Sequence, residues 1–152
     1  VKLLVWEENK MKQSVLDQIG GETILRKLVD EFYDLIETMP EGAQIKKMHD
    51  RGHGLEHVRL EQFNFLSGFL GGRRYYEEKF GHMNVKLMHE HVPISMEEAE
   101  NWLTCMNTAF ANVGLAGPEV EKLRSVLRRV ALLLVNDPGS GGFASNQGSS
   151  ST

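Results

Sequence analysis

Histidine is the residue type that offers the most chemistry in this sequence. Imidazole titrates near neutral pH and is the commonest metal ligand in proteins. The six histidines are His49, His53, His57, His82, His89 and His91. They lie in or beside two stretches, residues 41–54 and 71–94, that show no sustained apolar period and are predicted as loops. Loops of this length usually carry function, so the histidines are candidates for metal binding or proton transfer, although surface histidines without a role are the commoner case.

One candidate is a non-haem iron site. His49, His53 and His57 follow one another at four-residue steps, and Glu61 comes four residues later. On a continuous helix this spacing would bring all four side chains to one face, as a metal site requires. Two glycines, at positions 52 and 54, interrupt the helical register. The spacing is therefore a weak indication of a metal site.

The second candidate is a haem pocket. Haem requires an axial ligand such as a neutral imidazole, apolar walls, cations for its two propionates and a few polar groups near the open iron position. Residues for such a pocket come from several helices. The apolar periodicity of the chain indicates where those helices lie.

Four long helices are predicted from apolar residues that recur at three- and four-residue steps. They cover residues 22–38, 55–70, 95–113 and 118–136. Ser95 and Glu98 form a capping box at the start of the third helix, and Pro118 suits the first turn of the fourth. No segment alternates with period two, so the sequence predicts an all-α fold.

The composition fits one ordinary globular domain. The chain has 152 residues, of which 41% are hydrophobic and 25% charged, and chains of this size form a single core. The formal net charge of -4 provides no positive field for nucleic acid or anionic lipid. No apolar run reaches the roughly 20 residues that span a bilayer, and the start of the chain does not resemble a signal peptide. We therefore expect neither a nucleic-acid nor a membrane partner.

Composition also divides the chain into three parts. Residues 1–13 are expected to form an N-terminal extension, residues 14–137 the folded domain, and residues 138–152 a disordered tail rich in glycine and serine. The tail has too few apolar residues to offset the entropy of ordering. The one cysteine, Cys105, leaves no internal disulfide and favours a reducing compartment, so we expect a cytoplasmic protein.

Gln62 is the most informative polar residue of the second predicted helix. It falls on the apolar stripe of that helix, which is formed by Leu55, Val58, Phe65, Leu66 and Phe69. A buried amide is costly unless it finds a hydrogen-bond partner. Gln62 therefore either bonds a polar partner inside the fold or turns to solvent at the rim of the stripe.

Several ordered motifs connect the sequence with a known family. They are Gly20-Gly21-Glu22, LVDEFY at 28–33, Gly71-Gly72, Tyr76, Gly81-His82, VKLMH at 85–89, Pro93-Ile94 and WLTCM at 102–106. In this order and spacing the chain resembles the truncated haemoglobins, most closely group II, over about residues 15–136. The resemblance implies a two-over-two helical sandwich around haem b, with small diatomic gases as ligands.

The resemblance implies roles for individual residues. His89 matches the proximal histidine that binds iron, and His91 lies two residues beyond that position. Tyr33 and Trp102 match the tyrosine and the tryptophan that face the iron ligand in group II. Gln62 matches the position nearest that ligand, where the group more often has an apolar residue. This departure predicts a more polar pocket than is usual for the group.

Further residues match the walls and rim of the haem site. Val58 stands where full-length globins have a distal histidine, which implies a five-coordinate iron. His49 matches the residue that stacks near the haem edge, with His53 as the alternative because the loop that follows is longer than usual. The other haem-contacting positions are Phe65, Leu66, Arg74, Tyr76, Lys79, His82 and Lys86, of which Arg74, Tyr76, Lys79 and Lys86 are the candidates for the propionates. Lys86 stands at a position where the family usually has arginine, and a lysine cannot bind a propionate carboxylate through two parallel hydrogen bonds as a guanidinium does.

The function implied by the resemblance is binding of dioxygen, and of nitric oxide, carbon monoxide or sulfide, with tight retention. Donors from Tyr33, Gln62 and Trp102 would hold a partly negative dioxygen strongly. Retention suits redox chemistry such as nitric oxide dioxygenation or peroxidase activity better than oxygen delivery, and such turnover requires an electron donor, a reductase whose identity the sequence does not give. A gas sensor without turnover and a non-haem iron protein are the alternatives. The chain is expected to be a monomer or a homodimer.

Replacement of His89 tests the ligand assignment. We expect His89→Gly to lower haem retention, because it removes the imidazole that matches the iron ligand. Added imidazole should restore the ferrous absorption spectrum. A His89→Gly protein that purifies with the ferrous spectrum of the parent would contradict the assignment and make His82 or His91 the candidate.

Overall fold

The computed structural model describes residues 13–50 and 54–137, and the backbone of these residues is helical without any strand. The α-helices are α1 (Val15–Ile19), α2 (Gly21–Thr38), α3 (Ala43–Asp50), α4 (Gly54–Phe69), α5 (Tyr75–Phe80), α6 (Val85–His89), α7 (Met96–Val113) and α8 (Pro118–Leu133). A short 3-10 helix, Pro40–Gly42, joins α2 to α3. The all-α prediction is confirmed. The long predicted helices appear as α2, α4, α7 and α8, each with bounds close to those expected.

The long helices pack in two pairs. Helix α2 lies against α4 and also against α7, and α7 lies against α8. One pair is α2 with α4, and the other is α7 with α8. Because α2 is covered by α4 on one side and by α7 on another, its apolar stripe is buried from Leu25 to Ile36, and Leu25, Phe32 and Ile36 are all 0% exposed. Burying a side chain of this size contributes about 1.5–3 kcal/mol. The core therefore forms around α2, and the residues on this helix have fixed positions.

The two stretches predicted as loops are partly helical, so that prediction is wrong. Residues 41–54 contain α3 and part of the 3-10 helix, and residues 71–94 contain α5 and α6. These helices have five to eight residues, which is too short for an apolar period to appear and too short to be stable alone. Tertiary burial of Ile45 stabilises α3 and burial of Tyr76 stabilises α5, whereas α6 has no buried residue.

The corner between α2 and α3 depends on one glycine. Gly42 is buried, and a Cβ atom at this position would collide with the backbone of Ile36. Only glycine allows this close approach. The sharp corner directs α3, with His49 near its end, back towards α2.

Three predictions concern residues outside the described part of the chain. The predicted N-terminal extension lies there except for Gln13, and so does the whole predicted tail, residues 138–152. His53, the alternative to His49 at the haem edge, also lies outside the described residues. Within those residues, no helix combines the length and the apolar character needed to cross a membrane.

The capping box of α7 is formed as the sequence predicts, and it can be tested. The Ser95 hydroxyl accepts from the Glu98 amide at 3.1 Å, and the Glu98 carboxylate accepts from the Ser95 amide at 2.8 Å. We expect Ser95→Ala to lower the free energy of unfolding by about 1 kcal/mol, because a buried cap is lost. Urea denaturation measures this, with exposed Ser125→Ala on α8 as the control. Equal unfolding midpoints for the two variants would contradict the stabilising role of the cap.

Candidate functional site

A cavity of about 340 Å³ opens between the two helix pairs. Residues of seven helices, α2 to α8, line it, and apolar side chains make up most of the wall. A volume of this size falls within the range of about 300–1,000 Å³ that is usual for ligand sites. The polar side chains that reach the wall are Tyr33, His49, His57, Glu61, Gln62, Tyr76, His89, Glu98 and Trp102. The cavity is therefore an apolar site with a small number of placed polar groups.

His89 presents one ring nitrogen in a form suited to a metal. It ends α6 and is half-buried in the cavity wall. The Nδ1 atom lies 2.7 Å from the carbonyl oxygen of Val85, so Nδ1 carries the proton and donates it to that oxygen. The second nitrogen, Nε2, then has a free lone pair. Metal-binding histidines are commonly held in this way.

Tyr33 and Gln62 form a hydrogen bond at the cavity wall. The Tyr33 hydroxyl donates to Gln62 Oε1 at 3.3 Å, which joins α2 to α4. The polar partner that the sequence leads one to expect for Gln62 is therefore present. Tyr33 is 1% exposed. Burial raises the pKa of its phenol, and the nearby charge of Arg59 opposes this only in part, so the phenol stays protonated and able to donate.

Arg59 fastens α4 to α2 beside this pair. Its guanidinium donates to Asp30, Asp34 and Glu37, at 3.3, 2.8 and 3.2 Å from their carboxylate oxygens. It also lies 5.9 Å from the centre of the Tyr33 ring. The sequence analysis missed this residue. The three acids recur along one face of α2, which was the available signal for a cation on a neighbouring helix.

Trp102 and His49 complete the polar part of the wall around Tyr33. The Trp102 ring packs on Phe32 at 5.1 Å between ring centres, and among the described residues none accepts a hydrogen bond from its indole N–H. The His49 ring lies 6.1 Å from the Tyr33 ring. Burial lowers the pKa of His49; Asp50 opposes this, and His89 adds to it. The neutral imidazole is therefore favoured.

Among the uncharged side chains predicted to contact the haem, Phe65, Leu66 and Tyr76 lie in the cavity wall and His82 does not. The Phe65 and Tyr76 rings meet edge to face at 5.4 Å. His82 is outside the lining. Its Nδ1 accepts from the Asn84 amide at 3.0 Å, and its ring lies 6.2 Å from the ring of Tyr76, which does line the cavity.

The cations predicted for the propionates stand outside the cavity lining, and two are already paired. Arg74 forms an ion pair with Glu77 at 2.9 Å, and Lys79 pairs with Glu61. Lys86 is exposed and forms no ion pair with any residue in the described ranges. It lies one turn before His89 on α6. Of the three cations, Lys86 is thus the most available to a carboxylate at the rim.

Glu61 is a cavity residue whose role the sequence analysis did not identify. One of its carboxylate oxygens pairs with Lys79 and also lies 3.7 Å from His57 Nε2, while the other is buried with no hydrogen-bond partner in the described structure. The spacing of Glu61 after His57 was considered only as part of a non-haem iron site. The residues that the structure describes contain no group of three or more side chains able to hold a metal ion.

These residues fit a haem. His89 supplies an imidazole with a free nitrogen, Tyr33, Gln62 and Trp102 supply protons inside the same cavity, and the remaining wall is apolar. This combination matches what iron, a small iron ligand and a porphyrin ring require. Lys86 offers one charge for a propionate.

Comparisons with known proteins agree with this assessment. The sequence matches the model of the Bacterial-like globin family over residues 14–136. It is 35% identical over 116 residues to the group 2 truncated hemoglobin YjbI of Bacillus subtilis (strain 168), which covers 76% of this chain and 84% of that protein.

Solved structures also match closely. The group II 2-on-2 hemoglobin from Agrobacterium tumefaciens gives a TM-score of 0.77 at 28% identity, covering 83% of this chain and 96% of the other. The truncated oxygen-avid haemoglobin from Bacillus subtilis gives a TM-score of 0.72 at 34% identity, covering 82% of this chain and 100% of the other. The two-over-two helical sandwich expected from the sequence is confirmed by these matches.

Lys86 can be tested as a propionate partner. We expect Lys86→Gln to speed haem transfer to excess apomyoglobin by roughly two- to five-fold, the effect of losing one exposed charge pair. Lys122→Gln removes a comparable exposed lysine from the first turns of α8, away from the cavity lining, and should leave the rate unchanged. Equal transfer rates for both variants and the parent would show that Lys86 does not hold the haem.

Proposed function

Because the chain belongs to the Bacterial-like globin family and is similar throughout its domain to group II truncated haemoglobins, we propose that it retains dioxygen or a related diatomic gas for redox chemistry. Membership of this family implies a haem that binds small ligands. When bound, the haem supplies an iron that takes such a ligand and exchanges electrons with it. The residues of this chain decide how long the ligand stays.

The haem in this proposal is haem b, held through His89. Covalent attachment of the c type uses two cysteine thiols, and this chain has only Cys105. Cys105 is also fully buried, and burial raises its pKa to about 11, so its thiol is protonated and unreactive. A non-covalent haem with an imidazole ligand is the form that these residues support.

The proposal includes an iron with only one protein ligand. Val58, on the ligand side of α4, has no group that can bind a metal, and it lines the cavity beside Tyr33 and Gln62. The two other histidines of the wall have protein neighbours: His57 lies 3.7 Å from the Glu61 carboxylate, and the His49 ring packs near Tyr33. A haem iron held by His89 alone would keep a coordination position free for the gas.

The Tyr33–Gln62 hydrogen bond carries the proposal of tight retention. The pair has three donor protons, one on the phenol and two on the amide. While the phenol donates to Gln62 Oε1, both amide protons are available to a ligand. If the amide turns by 180°, it donates to the phenol oxygen and the phenol proton becomes available instead. Either arrangement offers a proton to a partly negative ligand without leaving a buried group unpaired.

Hydrogen bonds of this kind change release rates strongly. Each bond to a charged ligand is worth about 1.5–3 kcal/mol, and two would slow release by roughly 100-fold or more. The indole N–H of Trp102 is a further donor in the cavity, and it has no acceptor among the described residues. A similar structure, from Bacillus subtilis, is described as oxygen-avid. Slow release favours a reaction of the ligand while it is bound to the haem over delivery of oxygen elsewhere.

Two reactions fit a retained oxygen ligand. Nitric oxide dioxygenation joins nitric oxide and dioxygen into nitrate and takes up one electron, and peroxidase activity reduces hydrogen peroxide with two electrons and two protons. Both require an external electron donor, so a reductase is part of the proposal. The cytoplasm is the proposed location, because reductants there can serve the haem and the chain has one cysteine, which leaves no internal disulfide.

Tyr33 and Gln62 variants test retention directly. We expect Tyr33→Phe to raise the dioxygen dissociation rate by roughly 10-fold or more, because one charge-assisted bond is lost while the ring remains. Carbon monoxide carries less charge, so its rate should change less. Stopped-flow measurement gives both rates, with Tyr75→Phe as the control, since the Tyr75 phenol bonds Glu22 outside the cavity.

A double-mutant cycle tests whether the two residues act together. Gln62→Leu and Tyr33→Phe should be non-additive in the dioxygen dissociation rate, because each removes a bond that the other orients. Strict additivity, or a Gln62→Leu protein with the dissociation rate of the parent, would sink the proposal that this pair retains the ligand.

A further inference from the structure

Hydrogen bonds join the segment that follows His89 to residues 136 and 137, just after α8, and most of them come from one side chain. Asn136 Nδ2 donates to the carbonyl oxygens of His89 and Val92, at 3.4 and 3.0 Å, and Asn136 Oδ1 accepts from the Ile94 amide at 2.8 Å. Backbone amides of residues 136 and 137 also donate to the Ile94 carbonyl, at 2.9 and 3.1 Å. Asn136 thus reaches both ends of the link between α6 and α7.

This link has little other support. Helix α6 has only five residues, none of them buried, and a helix this short is not rigid by itself. Within the segment, the Val92 amide donates to the His89 carbonyl at 3.0 Å, which closes one turn. The position of that turn in the fold is set by the bonds to residue 136, since α8 is anchored through Leu127 and Ala131 in the core.

We propose that Asn136 is a positioning residue for His89, holding the backbone of the iron ligand at a fixed place relative to α8. This inference rests on the proposed function, because His89 must be the iron ligand for it to matter. Asn136 acts through the His89 carbonyl and does not line the cavity. Its effect is to limit the directions in which His89 Nε2 can point while Nδ1 stays bonded to Val85.

Asparagine is suited to this position because it offers donors and an acceptor from one rigid group. Aspartate has nearly the same shape and can still accept from the Ile94 amide, but it has no protons for the two carbonyls. A carboxylate would instead stand 3.0–3.4 Å from the oxygens of His89 and Val92, where like partial charges repel. Asn136→Asp therefore releases His89 with the smallest change of volume.

The experiment compares Asn136→Asp and Asn136→Ala with matched variants of Asn112. Asn112 Nδ2 donates to Glu31 at 2.8 Å and joins α7 to α2 away from the His89 segment. Two quantities are measured on the haem-loaded proteins: the rate of haem transfer to apomyoglobin, and the iron–histidine stretching band in the ferrous resonance Raman spectrum. The band reports the geometry of the histidine and is not moved by a general loss of stability.

We expect Asn136→Asp to transfer haem roughly 10-fold faster than the parent, because two hydrogen bonds are lost, and to show a broadened iron–histidine band at lower frequency. Both Asn112 variants should keep the band of the parent. If Asn136→Asp cannot be purified, Asn136→Ala gives the same readouts, since the backbone bonds of residues 136 and 137 to Ile94 remain.

The outcomes separate this inference from the proposed function. An unchanged band in the Asn136 variants, with haem loss no faster than in the Asn112 variants, overturns the positioning role while the parent remains a haem protein. An unchanged band together with lower urea stability also overturns it, because Asn136 would then only stabilise the fold. If the parent itself shows no iron–histidine band, the assignment of His89 fails first.

Discussion

Burial of α2 between α4 and α7 is the constraint on which the rest of this structure depends. The apolar stripe of α2 is almost completely removed from solvent, and Tyr33 lies within it at 1% exposure. A phenol so deeply buried must have a hydrogen-bond partner, and the partner is Gln62 on α4. The same packing brings Arg59 onto three acids of α2. One helix therefore fixes the spacing of the cavity wall and places its main donor.

The two sides of the site are built in different ways. The ligand side uses long helices, whose positions follow from extensive apolar burial. The His89 side consists of the five-residue helix α6, which has no buried side chain, and the short link to α7. The position of this side follows from hydrogen bonds to residues 136 and 137, just after α8. Such bonds contribute about 0.5–1.5 kcal/mol each. The His89 side is therefore the part of the site that is easier to displace.

The balance of charges also bears on the proposed reaction. Arg74 and Lys79 are engaged by Glu77 and Glu61, which leaves few cations at the rim for the propionates. Polar side chains are instead concentrated on the wall formed by α2, α4 and α7, where Tyr33, Gln62 and Trp102 line the cavity. This distribution agrees with the proposed retention of a gas ligand, because the donors line the cavity while Arg74, Lys79 and Lys86 stand outside its lining.

The sequence by itself determined the long helices, because a period of 3.6 residues over 16 to 18 positions and a capping box are local signals. It also put Gln62 on the apolar stripe of α4 without deciding whether the amide is buried or faces solvent, and the ordered motifs placed His89, Tyr33 and Trp102 in one family pattern. The short helices α3, α5 and α6 were missed, since they contain too few turns to show a period.

Only the tertiary structure decided which polar side chains from distant parts of the sequence meet. Asn136 bonds residues 42 to 47 positions earlier in the chain, and Arg59 bonds acids 22 to 29 positions away. The row of acids on α2 indicates a cation nearby but does not say which one, and nothing near Asn136 in the sequence indicates its partners, because an amide or guanidinium can bond any acceptor that folding brings within reach. Which acceptor that is depends on how the helices pack, and packing follows from burial of the apolar faces as a whole.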